Sequence, residues 1–205
     1  MIDLQDIRAA VARAPSRVEL PEDGRRAAVA AVVTPDLELL FMSRAVFEGD
    51  PWSGQVSFPG GRVEPDEGVL DAAIRETLEE LGLPLDRDCL LGELDELQTR
   101  GNQPTLVIRP YVFAPARIPP LRPNEEVARV HRLGLDALLA GAGRGTMRHP
   151  WREHELVLPK VDFDGVRLWG LTLHMVDDLL HRLDGRGRGL ARSGTMDART
   201  PWEGA

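Results

Sequence analysis

The sequence predicts an α/β protein that folds as one domain. Segments with helical periodicity of apolar residues lie near both ends and in the middle of the chain, and strand-like apolar runs separate them. The chain has 205 residues and is 42% hydrophobic, which suffices to bury a full core in a single domain. No internal repeat is visible.

The first half of the chain alternates between the two element types. The predicted elements are a helix over residues 4–14, strands over 27–33 and 37–44, and a helix over 69–81. Pro35-Asp36 predicts a hairpin between the two strands. The first helix is expected to end near Pro15, and Gly82 is a typical C-terminal glycine for the second.

The second half contains most of the predicted strands. Predicted strands cover residues 90–97, 105–113, 127–132, 155–161 and 166–169, and predicted helices cover 135–140 and 171–183. Asp164-Gly165 is a hairpin signal between the last two strands. The glycine-rich stretches 141–145 and 185–189 are predicted loops.

The helix over 69–81 gathers three carboxylates on one side. Glu76, Glu79 and Glu80 fall within an arc of roughly 100°. The opposite arc, expected to face the core, contains Leu70, Ile74, Leu78 and Leu81. Carboxylates packed this closely repel one another unless a cation lies among them. Oxygen ligands on a rigid element suit a hard divalent ion such as Mg²⁺.

Three clustered glutamates alone also fit a solvated helix face, because charge runs usually face water. The neighbouring residues favour the metal site over this alternative. The segment resembles the Nudix box, G-x₅-E-x₇-R-E-U-x-E-E-x-G-U, in which U is a bulky aliphatic residue. The matching positions are Gly61, Glu67, Arg75, Glu76, Thr77, Glu79, Glu80, Gly82 and Leu83. Thr77 alone departs from the pattern, and it lies on the core-facing arc, so we expect it to affect packing more than chemistry.

This resemblance implies an α/β/α sandwich with a mixed sheet, in which the box forms a loop-helix-loop metal site. It implies a pyrophosphohydrolase that acts on a nucleoside diphosphate linked to another group. Its implied Mg²⁺ or Mn²⁺ ligands are Glu76, Glu79, Glu80 and the backbone carbonyl of Gly60, with Glu67 in the same network. Arg75 is expected to hold a ligand carboxylate in place, and we count it with Glu79 and Glu80 as catalytic.

The catalytic base in this family often lies outside the box. Glu126, in the segment RPNEEV, is the candidate here, because a similar segment occurs in the branch described next. Glu125 is a weaker candidate, and both also fit solvated turn residues. The five histidines lack paired ligand spacing, and no Ser-His-Asp arrangement is apparent in the sequence.

The run from Leu39 to Gly61 is similar to the coenzyme A diphosphatase branch of the family. The similarity is carried by Arg44, Gly54, Val56, Phe58, Pro59, Gly60 and Gly61, and by the segment LWGLT at 168–172. We take Arg44, Trp52 and Phe58 as candidate substrate-binding residues. Trp52 either stacks on a substrate group or serves only as a packing residue.

The loop between Arg44 and Gly54 departs from that branch. Glu48 and Trp52 stand where the branch has an arginine and a histidine, although the 3′-phosphate of coenzyme A favours basic partners. ADP-ribose, a nucleotide sugar or a dinucleotide therefore remain alternative substrates. Two further alternatives are a catalytically silent nucleotide sensor and an acidic helix that serves only as a protein-interaction surface.

Composition limits the partners and the compartment. The net charge of −8 argues against nucleic-acid binding through a basic surface, so the expected partner is a small nucleoside diphosphate derivative. The N-terminal segment is neither a signal peptide nor a membrane span, and Cys89 is the only cysteine, which together indicate no membrane association and a cytoplasmic location. We expect residues 1–184 to form the domain, with 1–25 as N-terminal helix and lead-in, and 185–205 to be a flexible tail. A homodimer is left open.

Overall fold

The computed structural model of the protein describes residues 2–49, 52–99, 105–151 and 154–184, and the predicted tail at 185–205 lies outside these ranges. The helices in this part of the chain are α1 (Leu4–Val11), α2 (Val69–Leu81), α3 (Leu135–Leu139) and α4 (Gly170–Asp184), with a 3₁₀ turn at Arg87–Cys89. The strands are β1 (Arg25–Val32), β2 (Glu38–Arg44), β3 (Val56–Ser57), β4 (Gly60–Arg62), β5 (Leu90–Glu93), β6 (Leu97–Gln98), β7 (Leu106–Phe113), β8 (Val127–Gly134), β9 (Arg144–Trp151), β10 (His154–Phe163) and β11 (Val166–Trp169).

The central sheet is mixed, as predicted. Its strands lie in the order β4-β1-β7-β5, and β6 also pairs with β7. Strands β1 and β7 run parallel, whereas β4 and β5 pair with them antiparallel. Two smaller antiparallel sheets have the orders β3-β2-β8 and β11-β10-β9.

Helices cover both faces of the central sheet, which confirms the predicted sandwich. On one face, Ala27 and Ala31 of β1 join a core that includes the apolar residues of α1 and α4. On the other face, Ala28 and Ala30 join a second core beneath α2. Because successive side chains of a strand point to opposite faces, β1 contributes alanines to both layers.

Local signals explain where α1 begins and where α2 ends. Asp3 and Asp6 form a reciprocal capping box at the start of α1, with the Asp6 N–H donating to Asp3 Oδ1 at 2.9 Å and the Asp3 N–H donating to Asp6 Oδ2 at 3.1 Å. Gly82 ends α2 in the left-handed conformation at φ 63°, and its N–H donates to the Leu78 carbonyl.

Strands β1 and β2 do not form the expected hairpin. The chain does reverse after Pro35-Asp36, where Leu37 adopts a positive φ of 58°. Only the isolated bridge between Val33 and Leu39 links the two strands at this point, and β2 then pairs with β3 and β8 in a separate sheet. The turn was predicted correctly, but the pairing was wrong, because each strand finds partners distant in sequence.

Other predicted elements differ in extent, and the first helix ends at Val11 rather than at residue 14. The predicted strand 90–97 is split into β5 and β6, and between them the Leu94 N–H donates to the Pro110 carbonyl. The glycine-rich stretch 141–145 is only partly a loop, because β9 begins at Arg144 and pairs with β10. The prediction also missed the short strands β3 and β4, which flank Phe58-Pro59.

The core-facing side of α2 differs from the predicted arc at one residue. Leu78 is 50% exposed, so its predicted place in the core is wrong, while Leu81 is buried and Leu70 and Ile74 are partly buried. The helix instead turns Ala72, Ala73 and Thr77 toward the sheet. These small side chains meet the alanines of β1, which allows the helix to pack closely on the strand.

Within the described ranges, no helix has the length and apolar character needed to cross a bilayer.

Candidate active site

The acidic side of α2 lies at the C-terminal half of the helix and is buried to different depths. Glu80 is only 2% exposed, Glu76 is partly buried and Glu79 is exposed. Close packing of the helix on β1 draws Glu80 into the protein interior. The three carboxylates therefore share one side of the helix but differ in their solvation.

The turn that begins β4 meets Glu80 directly. The Gly60 N–H donates to Glu80 Oε2 at 2.8 Å. Gly60 has a φ of 147°, and a Cβ at this position would lie 2.3 Å from the carbonyl oxygen of Ala28. Only glycine can therefore pass this close to β1 while presenting its N–H to the carboxylate.

Arg75 gathers the remaining glutamates of the box. Its Nε and Nη2 donate to the two carboxylate oxygens of Glu67 at 2.8 and 3.1 Å, which is a bidentate pair. Its Nη1 lies 3.0 Å from both Glu76 Oε1 and Glu79 Oε2. Nη2 also donates to the carbonyl of Arg62, which ties the guanidinium to β4. The structure thus brings the predicted positioning residue onto three of the predicted site carboxylates.

The electrostatics of the site separate two kinds of carboxyl group. The hydrogen bonds from Arg75 hold the pKa of Glu67 below its ordinary value. Burial raises the pKa of Glu80 to about 8, and the negative charges of Glu76 and Glu126 add to this effect. Burial also raises the pKa of Glu76, against the opposing influence of Arg75 and with smaller contributions from Glu79 and Glu126.

The donor chemistry fits a hard divalent cation. All the side-chain donors are carboxylate oxygens. Burial raises the pKa values of Glu76 and Glu80, neighbouring negative charges add to the increase, and a cation among them would oppose both effects. The carboxylates are not arranged as a ready cage: across the described residues, no three His, Cys, Asp or Glu side chains converge on a common point. Instead, Arg75 forms ion pairs with Glu76 and Glu79, and Glu80 accepts a hydrogen bond from the Gly60 N–H.

Glu126 lies close enough to the box for its charge to act on Glu76 and Glu80. The loop that contains Glu126 is hydrogen-bonded to the end of α2. The N–H groups of Arg122 and Asn124 donate to the carbonyls of Leu81 and Glu80 at 2.8 and 2.9 Å. The side chain of Asn124 then accepts from the Glu126 N–H at 2.9 Å.

Sequence reasoning missed the role of Asn124. The only signal was its place in the segment RPNEEV, two residues before Glu126. The hydrogen bond from the Glu126 N–H shows that Asn124 orients this part of the loop.

The three predicted substrate-binding residues occupy different environments. Arg44 ends β2, and its positive charge acts on Glu80. Trp52 is partly buried in the loop before β3, where its carbonyl accepts from the Gln55 N–H. Phe58 is 2% exposed and stacks on Phe41 with ring centroids 4.9 Å apart. The ring of Phe58 is therefore part of the core in this structure, and its role in substrate binding stays a prediction.

A second polar cluster lies behind β2, and the sequence did not indicate it. Ser43, His131 and Asp164 are linked by hydrogen bonds although they are far apart in the sequence. Sequence reasoning set the histidines aside for lack of ligand spacing. Only the convergence of strands from two sheets brings these three residues together.

Comparison with known proteins places this geometry in a family. The model of the NUDIX domain matches residues 24–152. The mitochondrial coenzyme A diphosphatase NUDT8 of Mus musculus is 33% identical over 179 residues, covering 83% of this chain and 82% of that protein. The Homo sapiens protein of the same name is 35% identical over 133 residues, covering 63% of this chain and 56% of that protein.

Solved structures share the fold at lower identity. The MutT protein from Methanosarcina mazei Go1 superposes with a TM-score of 0.55 at 16% identity, covering 84% of this chain and 100% of that one. A MutT/nudix family protein from Enterococcus faecalis gives 0.52 at 16% identity, with coverage of 91% and 74%. Together with the match over the box, these similarities establish that the chain belongs to the Nudix family of hydrolases, which act on phosphorus anhydrides.

Proposed function

We propose that the protein is a divalent-metal-dependent diphosphatase that cleaves the diphosphate bond of coenzyme A or a closely related compound. The observation that carries this proposal is the position of Glu80, buried beside the Gly60 turn and raised in pKa by burial and by the charges of Glu76 and Glu126. A buried acidic group with a raised pKa is typical of a functional site. The named relatives in mouse and human supply the substrate class.

Glu76, Glu79, Glu80 and the carbonyl of Gly60 are the proposed ligands of Mg²⁺ or Mn²⁺. When bound, such an ion neutralises phosphoryl oxygens and lowers the pKa of a bound water. Arg75 keeps Glu76 and Glu79 on one side of the helix through its Nη1, and its bidentate pair with Glu67 prevents the guanidinium from turning away. Arg75 is thus a positioning residue for the ligand set.

Glu126 is the proposed base. It is exposed, and its charge reaches Glu76 and Glu80, so it lies at the open side of the acidic cluster. A carboxylate there is suited to accept the proton of the attacking water as the oxygen attacks phosphorus. Arg44, whose charge also reaches Glu80, is suited to pair with a phosphoryl oxygen of the substrate.

The loop between β2 and β3 favours a variant of the substrate without a 3′-phosphate. Glu48 is exposed in this loop and carries a negative charge where a phosphate-binding site would use a positive one. Dephospho-coenzyme A therefore fits the proposal at least as well as coenzyme A, and ADP-ribose, nucleotide sugars and dinucleotides are the competing substrates. The cytoplasm remains our predicted compartment, although the mouse relative is named as mitochondrial.

The test is a panel assay in ¹⁸O-water with Mg²⁺ or Mn²⁺. The panel contains coenzyme A, its dephospho form, ADP-ribose, a nucleotide sugar and a dinucleotide, and mass spectrometry identifies the products and the labelled phosphate. We expect cleavage of a coenzyme A-type compound with one ¹⁸O in one product, and loss of cleavage with EDTA. Turnover of ADP-ribose or a nucleotide sugar alone would reject the proposed substrate, and turnover of none would favour a binding module.

A further inference from the structure

A chain of hydrogen bonds joins three parts of the fold that are distant in sequence: β2, β8 and the turn between β10 and β11. Ser43 Oγ of β2 lies 2.7 Å from His131 Nε2 of β8, and His131 Nδ1 lies 2.9 Å from Asp164 Oδ2 in the turn between β10 and β11. The side chain of His131 is completely buried, whereas Asp164 is exposed and also pairs with Arg129. The carboxylate accepts from Nδ1–H, so in a neutral ring Nε2 accepts from the Ser43 hydroxyl.

The order of atoms in this chain is that of a serine-hydrolase triad, but Ser43 is poorly placed to attack a substrate. The residue is 9% exposed, and it lies in the middle strand of its sheet, opposite Val56 of β3 and Arg129 of β8. A nucleophilic hydroxyl needs an open approach for the reacting carbonyl or phosphoryl group. The chain of hydrogen bonds therefore fits a structural link between β2 and the β10–β11 turn better than a second catalytic site.

One route from this link reaches the acidic site along β2. Ser43 is followed directly by Arg44, and the pairing register of β2 with β8 shifts between these two residues. Such irregularities re-aim the next side chain, so a fixed Ser43 defines the direction of Arg44. The charge of Arg44 acts on Glu80.

A second route passes through stacked rings. Phe163 is the last residue of β10 and directly precedes Asp164. Its ring lies edge-on to His131, with centroids 5.9 Å apart, and its centroid is 5.7 Å from that of Phe41. Phe41 in turn stacks on Phe58. Phe58 is two residues before Gly60, whose N–H holds Glu80. Both routes therefore begin at the β10–β11 turn and end at the same carboxylate.

We propose that His131 is a positioning residue for the Nudix site: through Ser43 and the ring stack it fixes Arg44 and the Gly60 turn on either side of Glu80. The inference rests on the proposed function, since it takes Glu80 as a metal ligand. Satisfied buried polar groups select one arrangement over others, and supporting residues of this kind set the precision of a ligand site.

The experiment compares His131→Phe with the double variant Ser43→Ala/His131→Phe. The single variant keeps a ring beside Phe163 but leaves the Ser43 hydroxyl buried without its partner, which lowers stability. The double variant removes that hydroxyl and is expected to recover much of the lost Tm. The readouts are the hydrogen-exchange rate of the Gly60 amide by NMR, the Kd for Mn²⁺ by electron paramagnetic resonance, and Tm.

If His131 positions the site, the double variant keeps faster Gly60 exchange and an Mn²⁺ Kd weakened by about 3- to 30-fold, even where its Tm has recovered. Recovery of the Gly60 exchange rate and of the Kd together with Tm would show a purely structural role and overturn the inference. Labelling of Ser43 by a fluorophosphonate probe in the wild-type protein would also overturn it, in favour of a nucleophile.

Asp162→Asn is the matched control. Asp162 is two residues from Asp164 on the same hairpin, and its exposed side chain pairs with Lys160 and Arg167 rather than with His131. We expect this variant to leave all three readouts unchanged. If wild-type protein binds no Mn²⁺, the proposed function fails, whereas the Gly60 exchange rates still decide the inference, because that hydrogen bond forms without metal.

Discussion

The carboxylate of Glu80 accepts a 2.8 Å hydrogen bond from the backbone N–H of Gly60, twenty residues earlier in the chain. This contact joins the turn that precedes the box to the helix that the box forms. It also places the most buried acidic group of the site against the strand-forming backbone of β4.

Glu80→Gln is expected to lower kcat by orders of magnitude without loss of the fold. A glutamine can still accept from the Gly60 N–H, but it lacks the charge that a divalent ion requires. Steady-state kinetics with Mg²⁺, together with circular dichroism and Tm, measure the two effects. Glu125→Gln, at an exposed position, is the control, and unchanged turnover in Glu80→Gln would contradict the site assignment.

Without metal, the stability of the protein should fall as the pH rises from about 4.5 to about 8. Burial raises the pKa of Glu80 from an ordinary 4.5 to about 8, so between these values the folded state binds a proton that the unfolded state has released. Stability then decreases with pH, because fewer protons are bound by the unfolded state.

Urea unfolding in EDTA across this pH range measures the effect. Glu80→Gln should show a shallower pH dependence and greater stability than the wild type near pH 8. Adding Mn²⁺ at that pH should stabilise the wild type and not the variant. A wild-type pH dependence that the substitution leaves unaltered would show that Glu80 is not the group responsible.

Glu126→Gln is expected to reduce kcat by about 10²- to 10⁴-fold, the range for loss of a general base. Because Glu126 is exposed and its backbone N–H bonds to Asn124, the amide should preserve the loop. Glu125→Gln again provides the comparison, and wild-type activity in Glu126→Gln would remove Glu126 from the mechanism.

Arg75→Lys should weaken Mn²⁺ binding and activity by about 10- to 100-fold, as the loss of outer contacts to a ligand set commonly does. A lysine keeps the charge but cannot form the bidentate pair with Glu67 while also reaching Glu76 and Glu79. Arg87→Lys changes an exposed pair with Asp71 and should have no effect. If Arg75→Lys bound Mn²⁺ as tightly as the wild type, a positive charge at this position would be enough to hold the ligands, and the bidentate pair with Glu67 would not be needed.

The protein should show no strong preference for coenzyme A over its dephospho form. Glu48 is exposed in the loop that follows Arg44, and its charge opposes a 3′-phosphate. Glu48→Lys should raise kcat/KM for the 3′-phosphorylated compound by about tenfold, the value of one charge-assisted contact. Glu22→Lys, in the exposed lead-in, controls for net charge, and a large wild-type preference for coenzyme A would refute the prediction.

Local signals were sufficient for the helix of the box. The predicted and observed bounds of α2 coincide at Val69–Leu81, because an amphipathic run and a terminal Gly82 define the helix without help from the rest of the chain. The rotation of the helix about its axis was harder to predict. Hydrophobicity placed Leu78 inside, but the close approach allowed by Ala72 and Ala73 turned Leu78 outward and drew Glu80 in.

Contacts between distant segments account for the other differences. A hairpin signal describes a turn, so it could not show that β1 and β2 would pair with other strands. His131 carries no local signal at all, since its partners are 88 residues before it and 33 residues after it. Phe58 resembled a site residue because it adjoins the Gly60 turn, yet its side chain points into the core.

The loop over residues 121–126 is hydrogen-bonded to the end of α2 and holds Glu126 beside the box. The backbone N–H groups of Arg122 and Asn124 donate to the carbonyls of Leu81 and Glu80, so two hydrogen bonds hold the loop against the end of the helix. The box is thus continuous in sequence, but it does not include the proposed base. A transplant of residues 60–83 into another scaffold would transfer the proposed ligands and leave the proposed base behind, whereas exchanging 121–126 among relatives would retune proton transfer without altering the box.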